Sequence, residues 1–196
     1  MRAALRIGLI TMIGTLAACS SAPVHYYTLR PPLAQETVAV PAAPFLINVL
    51  PVGISAELDQ PQMVVRQGQS GVAVLDGERW VSPLGDEVRG ALSAHLASLL
   101  NTQDIGGLPQ HPNDPVLLVK VQIRRIDAWP GQHVELVADW ELTFANDPRH
   151  IRMSGSGRFD QGATAGYAQL TSAYQQVVQA LAARIVVDAR ALASSG

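Results

Sequence analysis

The side chains of this sequence best suited to chemistry are five histidines (His25, His95, His111, His133, His150), one cysteine (Cys19) and a row of carboxylates (Glu135, Asp139, Glu141). A metal centre needs several such ligands together, and here the histidines occur singly, with no His-x-x-x-His pair and no second thiol. Gly68-Gln69-Ser70-Gly71-Val72 has the wrong frame for a Gly-x-Ser-x-Gly nucleophile elbow. Gly155-Ser156-Gly157-Arg158-Phe159-Asp160 begins like a dinucleotide fingerprint but lacks the third glycine. It also falls in a stretch that reads as a strand, where no helix N-terminus awaits a phosphate. No Walker loop is present. Glu135, Asp139 and Glu141 share one strand face, which a solvated sheet surface explains better than a general acid–base pair. The expectation is a protein that is not an enzyme and carries no metal or other cofactor.

Cys19 asks for a different chemistry. It follows a basic start (Arg2, Arg6), an apolar run from Ile7 to Leu16 of about ten residues, and two small residues, Ala17 and Ala18. That run fits a signal-peptide core and is too short for a bilayer-spanning helix of ~20 apolar residues. A single thiol in an exported chain has no intramolecular partner. Leu16-Ala17-Ala18-Cys19 resembles the lipobox of bacterial lipoproteins, in which the thiol is diacylated, the chain is cut before it, and the new amino group is often acylated, with palmitate among such chains. On that resemblance residues 1–18 are a signal peptide, and covalent acyl chains on Cys19 hold the protein at a membrane, each buried CH₂ adding ~0.8 kcal/mol. Cleavage before Cys19 leaves 178 of the 196 residues and removes two of 14 basic residues and none of 16 acidic ones, for a balance of −4. Nothing in that balance favours nucleic acid.

The elements around these residues suit one domain of ordinary composition, with 48% hydrophobic and 15% charged residues. Residues 19–44 read as a lipidated, Pro/Ala-rich tether (Pro23, Pro31, Pro32, Pro41, Pro44), interrupted by Tyr26-Tyr27-Thr28-Leu29, a composition suited to a short strand. Residues 45–196 form the single α/β domain. Phe45 to Leu50 reads as a strand, Pro51 to Gln62 starts as a loop, and Met63 to Arg66 is extended. Gly68 to Gly71 forms a turn, and Asp76-Gly77 is a hairpin signal. Ser82-Pro83 opens a helix with Asp86 and Glu87 at its positive end. Leu84, Val88, Leu92 (or Ala91), Leu96 and Leu99 make the apolar stripe, with Glu87 off it, and Asn101 ends the helix. His95 lies beside that stripe as a packed or half-exposed histidine.

Alternation over Val116–Phe159, turned at Pro130-Gly131 and Asn146-Asp147-Pro148, predicts a three-stranded antiparallel meander, with a β-bulge where the phase slips at Arg124-Arg125. A last helix over Thr164–Ala193 presents Tyr167, Leu170, Tyr174, Val177 or Val178, Leu181 and Ile185 to the meander beside the first helix. The expected fold is α/β (α+β): a two-layer sandwich of mostly antiparallel sheet with two packed helices.

With these residues in place, the chain resembles the PqiC/YmbA family of ABC-type transport auxiliary lipoproteins along nearly its whole length. Tyr26-Tyr27-Thr28-Leu29 matches the family's early Tyr-Tyr-x-Leu. Pro51-Val52, followed by Leu58-Asp59-Gln60-Pro61-Gln62-Met63-Val64-Val65-Arg66, matches its signature after the first strand, and Arg79-Trp80 with Pro83-Leu84 its helix start. Gln60, Glu57 and Ser55-Ala56 depart from that pattern.

The resemblance implies an envelope lipoprotein that serves as an auxiliary or docking subunit of an MCE/ABC-type transport system. Such a system moves lipids or other hydrophobic molecules across the periplasm and supports membrane integrity. The implied partners are an MCE-domain membrane protein and ABC-type transporter components, and the chain could also form a homo-oligomer. Ser20 after Cys19 points to the outer membrane, with the domain facing the periplasm. Leu58, Asp59, Pro61, Gln62 and Arg66 are the candidate partner-binding residues, although Pro61-Gln62 serves equally well as the start of a strand. The rival is a lipoprotein that itself holds a hydrophobic ligand, which would need a cavity beneath the meander where Trp140, Leu142 and Phe144 compete for the space.

Overall fold

The computed structural model describes residues 23–32, 41–109, 114–149 and 151–194. The signal segment and Cys19 lie outside the described residues, as do His111 and His150.

Alternation of apolar and polar side chains over three long stretches builds the meander. It consists of β5 (Val116–Trp129), β6 (His133–Phe144) and β7 (Arg152–Gly162), paired antiparallel in the order β5-β6-β7. Gly131 at φ 72° and Asn146 at φ 63° supply the left-handed residues of its turns. The pairing shifts register between Ile123 and Arg125, where the slip in the sequence placed a bulge. Ile123 and Ile126 both stay buried, while Arg124 and Arg125 both point out.

Four further strands precede the meander: β1 (His25–Tyr27), β2 (Leu46–Val49), β3 (Gln62–Gln67) and β4 (Gly71–Trp80). β2 joins the meander's open edge parallel to β5, giving a four-stranded sheet β2-β5-β6-β7, while β1-β4-β3 is a separate three-stranded sheet with β1 parallel to β4. The strands thus form two mixed sheets, each with one parallel pair.

Asp76-Gly77 does not reverse the chain, contrary to its hairpin signature. Gly71–Leu75 is already paired with β3 through the turn at Gly68 (φ 68°), so a second reversal has no strand to return to. Gln62 opposes Arg79 but Met63 opposes Leu75, leaving Asp76–Glu78 unpaired with β3 as a bulge of β4.

Two helices, α1 (Leu84–Leu100) and α2 (Tyr167–Ser194), cover one face. α1 ends on Asn101 in the left-handed region (φ 48°), where Thr102 N donates to Ala97 O and Asn101 N to Ser98 O, the paired bonds of a Schellman motif. At its start Pro83 is the cap residue and supplies no side-chain bond. The Ser82 hydroxyl donates to Glu87 Oε1 at 2.7 Å rather than to the free amides of the helix start. α2 lies on β6 and β7 beside α1, burying Leu170, Tyr174, Val177, Leu181 and Ile185 in the phase the sequence predicts. Trp140 donates its indole N–H to Asp188 of α2 at 2.9 Å, which satisfies a buried polar group on each layer. Its ring fits because Gly155 stands opposite: a Cβ there would meet Trp140 Cε2 at 2.4 Å. That packing explains the glycine of the incomplete fingerprint.

The stretch read as a tether contains part of the fold. β1 pairs with Glu78–Trp80, and Leu29 is fully buried. Glu87, placed off the helical stripe by its charge, is only 1% exposed. Its carboxylate accepts from Thr28 Oγ1 (2.7 Å) and from the Leu29 amide (2.8 Å), so α1 holds the segment after β1. Tyr27 donates to Glu78 at 2.6 Å; burial first, and that carboxylate second, push the phenol up to about 12.

Candidate functional site

The two sheets pass each other at β3 and β5, and on the helix-free side of this seam lies a groove of about 520 Å³. Strand alternation decides its walls. In the β3–β4 pair Met63, Val65 and Ala73 turn toward the core, so Val64, Val72 and Val74 turn out. An outward strand face is normally polar, yet here Val72 is 56% and Val74 49% exposed. The opposite wall is the β5 bulge, Arg124–Ala128, and the third is the loop carrying Ser55, Glu57, Leu58 and Gln60.

That loop is shaped by three contacts. Gly53 bridges to β5, its N–H donating to Val121 O at 3.0 Å and its carbonyl accepting from Ile123 N at 2.7 Å. The amides of Leu58 and Asp59 both donate to Ser55 O at 3.0 Å, closing a turn. Asp59 Oδ1 accepts from Gly85 N at 3.0 Å, capping α1 from a distant part of the chain where Pro83 cannot.

The five candidate contact residues therefore separate. Leu58 and Arg66 line the groove together. Asp59 is spent on the helix cap, Pro61 accepts from the Trp80 amide at 2.6 Å, and Gln62 begins β3 opposite Arg79; none of these three is part of the groove lining. Residues on the groove that sequence reading did not select are Val64, Val72, Val74, Arg124, Arg125 and Asp127. The available signals were the phase slip at Arg124-Arg125, and apolar residues on both phases of β3 (Val64, Val65) and β4 (Val72 and Val74 against Ala73 and Leu75).

The groove's electrostatics centre on Asp127, a buried carboxylate (7% exposed). Arg66 Nε approaches it at 2.6 Å, and Arg125 bonds its second oxygen. That bond first, then the attraction of the same carboxylate, raises the Arg125 pKa above its already high ordinary value. Directly across the β5–β6 ladder stands Glu135, also buried (6% exposed) and bonded by Arg158 of β7. Two acids face to face on adjacent strands repel, and arginines supplied from β3, β5 and β7 offset that repulsion. Glu135 is thus a buried, paired group, not part of the solvated face expected for it. Asp139, partnered by an exposed Arg124 at 2.6 Å, and Glu141 do belong to the more exposed meander surface.

The arrangement can bind but offers little for proton transfer. Its titratable groups are arginines, the ion-paired Asp127, and Glu57, whose own amide and then the Ser55 hydroxyl hold its carboxylate below the usual range. The described histidines stay apart. His25 lies 3.1 Å from Glu78, His133 stacks on Trp129, and His95 is half-buried on α1. Among the described residues no three His, Cys, Asp or Glu side chains gather as a metal site, and no described helix is long and apolar enough to cross a membrane. Beneath the meander Trp140 (3% exposed) and Leu142 (fully buried) pack into the core, and Phe144 meets Phe45 edge-on with centroids 5.4 Å apart.

Two helices over paired mixed sheets, with a long meander, define an α+β class shared with solved structures of low sequence identity. A crystal structure of an uncharacterised protein superposes with a TM-score of 0.65 at 19% identity, covering 84% of this chain and 97% of the other. A Xanthomonas campestris protein of the DUF330 family gives 0.62 at 15% identity, covering 83% and 92%. No curated protein matches the sequence. The chain belongs to the family described as ABC-type transport auxiliary lipoprotein component, which it matches over residues 27–186. This is a transport auxiliary family rather than an enzyme family, and the match spans β1 Tyr27 through most of α2.

Proposed function

We propose that this protein is a non-catalytic docking subunit of an MCE/ABC-type transport system that moves hydrophobic molecules across the periplasm. Acyl chains on Cys19 anchor it in the outer membrane, with the domain facing the periplasm. The observation that carries the docking role is the groove at the sheet seam. Val72 and Val74 stand exposed beside Leu58, and arginines held in place by Asp127 flank them. An apolar centre with an arginine rim is the usual anatomy of a protein contact, and two of the groove's three walls are strands.

The test is purification of the full-length lipidated protein in mild detergent, with co-eluting proteins identified by mass spectrometry. An MCE-domain protein or its transporter components should accompany the wild type and be lost from the Val72→Asp/Val74→Asp double variant, whose changes sit on the solvent side of β4. Retention of the same partners by a folded double variant would remove the groove from the interface. A wild-type eluate holding stoichiometric lipid and no protein partner would replace the docking role with that of a self-sufficient carrier.

A further inference from the structure

The exposed large apolar side chains of the described residues are concentrated on one sheet. Val72 and Val74 belong to the groove at one end of β4; Val24 (41% exposed), Tyr26 (63%) and Val81 (64%) surround the other end. Register puts them on one face. Tyr26 opposes Arg79, and Trp80 next to it is buried with Tyr27 opposite, so Tyr26 and Arg79 project outward together; Val81 follows on the same phase, its amide donating to Tyr27 O at 2.9 Å.

We infer that this end of the small sheet, carrying Val24, Tyr26, Arg79 and Val81, lies against the lipid headgroups of the membrane that anchors the chain. The inference rests on the acylation of Cys19 proposed above. Four residue steps separate Cys19 from Pro23, a reach of at most ~15 Å at ~3.3–3.6 Å per residue. Pro23 is not free to extend that reach. Its carbonyl packs 3.5 Å from the Cβ position of Gly77, and the strand that follows is held by His25 and Tyr27 on Glu78 and by the Leu29 amide on Glu87. The domain therefore cannot stand far from the bilayer, and the surface nearest its attachment point is this one.

The side chains suit a headgroup layer. Tyrosine places an apolar ring and a polar tip at the depth where aromatic residues collect. Arg79 donates Nε–H to the Asp76 carbonyl at 2.9 Å, and no carboxylate pairs with it among the described residues, so its guanidinium can meet a lipid phosphate. The acids nearby are Asp76, on the exposed bulge, and Glu78, turned inward to Tyr27 and His25.

The test uses full-length lipidated protein in phosphatidylethanolamine–phosphatidylglycerol vesicles containing spin-labelled phosphatidylcholine. Single cysteines are introduced as Tyr26→Cys or Val81→Cys, with Leu108→Cys and Val187→Cys as controls, and coupled to an environment-sensitive fluorophore. Emission at positions 26 and 81 should shift to the blue and be quenched by the lipid-borne spin label, while positions 108 and 187 stay unquenched. Labels at 26 and 81 as water-exposed as the controls would overturn the inference. So would a blue shift without lipid quenching, which would assign the face to a second copy or another protein. The parent chain separates the two readings: if protein purified from membranes takes up label at its only cysteine, Cys19 is unacylated, and the anchor and this inference fall together. Flotation with water-exposed labels would remove this inference alone.

Discussion

Replacing Glu87 probes how the N-terminal strand is held to the rest of the domain. The carboxylate is 1% exposed and accepts three bonds, from Thr28 Oγ1 at 2.7 Å, the Leu29 amide at 2.8 Å and Ser82 Oγ at 2.7 Å. A hydrogen bond to a charged acceptor contributes roughly 1.5–3 kcal/mol, and a buried donor left without a partner costs about 1–3 kcal/mol. In Glu87→Ala the two hydroxyls, on part-exposed sites, regain water, but the Leu29 amide does not. The loss, including the void left by the side chain, should be about 3–5 kcal/mol.

Glu87→Gln separates charge from shape. Its carbonyl oxygen can still serve Thr28 and Leu29, while its amide faces Ser82, whose hydroxyl can turn and accept. That variant should lose only about 1–2 kcal/mol, the difference between charged and neutral acceptors. Urea unfolding followed by the fluorescence of Trp80, Trp129 and Trp140 measures both values, and amide hydrogen exchange at Leu29 reports whether the segment opens first. Equal costs for Ala and Gln, or a loss below about 1 kcal/mol for Ala, would refute the claim that this carboxylate clamps β1 onto α1.

Three further outcomes follow from the geometry. Gly155→Ala brings a methyl to 2.4 Å from the Trp140 ring and should cost about 1–3 kcal/mol as the indole leaves Asp188, seen as a lower Tm and a changed near-UV dichroism. Asp59→Ala removes the remote cap of α1 and should lower stability by about 0.5–2 kcal/mol by urea titration, with Asp59→Asn recovering part of it. Burial holds the His95 imidazole below its ordinary 6.5. The unfolded chain therefore binds more protons than the folded one between the lowered value and about 6.5, so this contribution is complete above that pH and is lost as pH falls through the window. His95→Gln should flatten that part of the pH–stability profile; an unchanged slope would exclude His95 as its source.

The larger strands were legible because alternation over a dozen residues admits few readings. Val134, Leu136, Ala138, Trp140 and Leu142 could face only a core, and the slip at Arg124-Arg125 could be reconciled with that core only by a bulge. Asp76-Gly77 misled because a turn signature states what the backbone tolerates locally, whereas β3, the hairpin neighbour, and β1, some fifty residues away, had already taken the residues on either side. Of the candidate groove's lining, Leu58 and Arg66 are residues that the family resemblance had proposed as contacts. Val72 and Val74 were not singled out, since which phase of a short strand faces water depends on what packs beneath it.

The sequence by itself determined the local terms: the meander and its bulge, the two apolar helices, the left-handed ends at Asn101 and Asn146, and the motif around Cys19. Each rests on neighbours within a few residues, where sterics and periodicity act directly. Only the tertiary structure decided the fate of the charges and of the chain's first described strand. Glu87 and Glu135 read as surface groups because a carboxylate is expensive to bury, yet each is buried by meeting donors distant in sequence: Thr28 and Leu29 for one, Arg158 for the other. The same long-range pairing draws part of a proline-rich stretch into the fold, because β1 finds its hydrogen-bond partners in Glu78–Trp80, some fifty residues away.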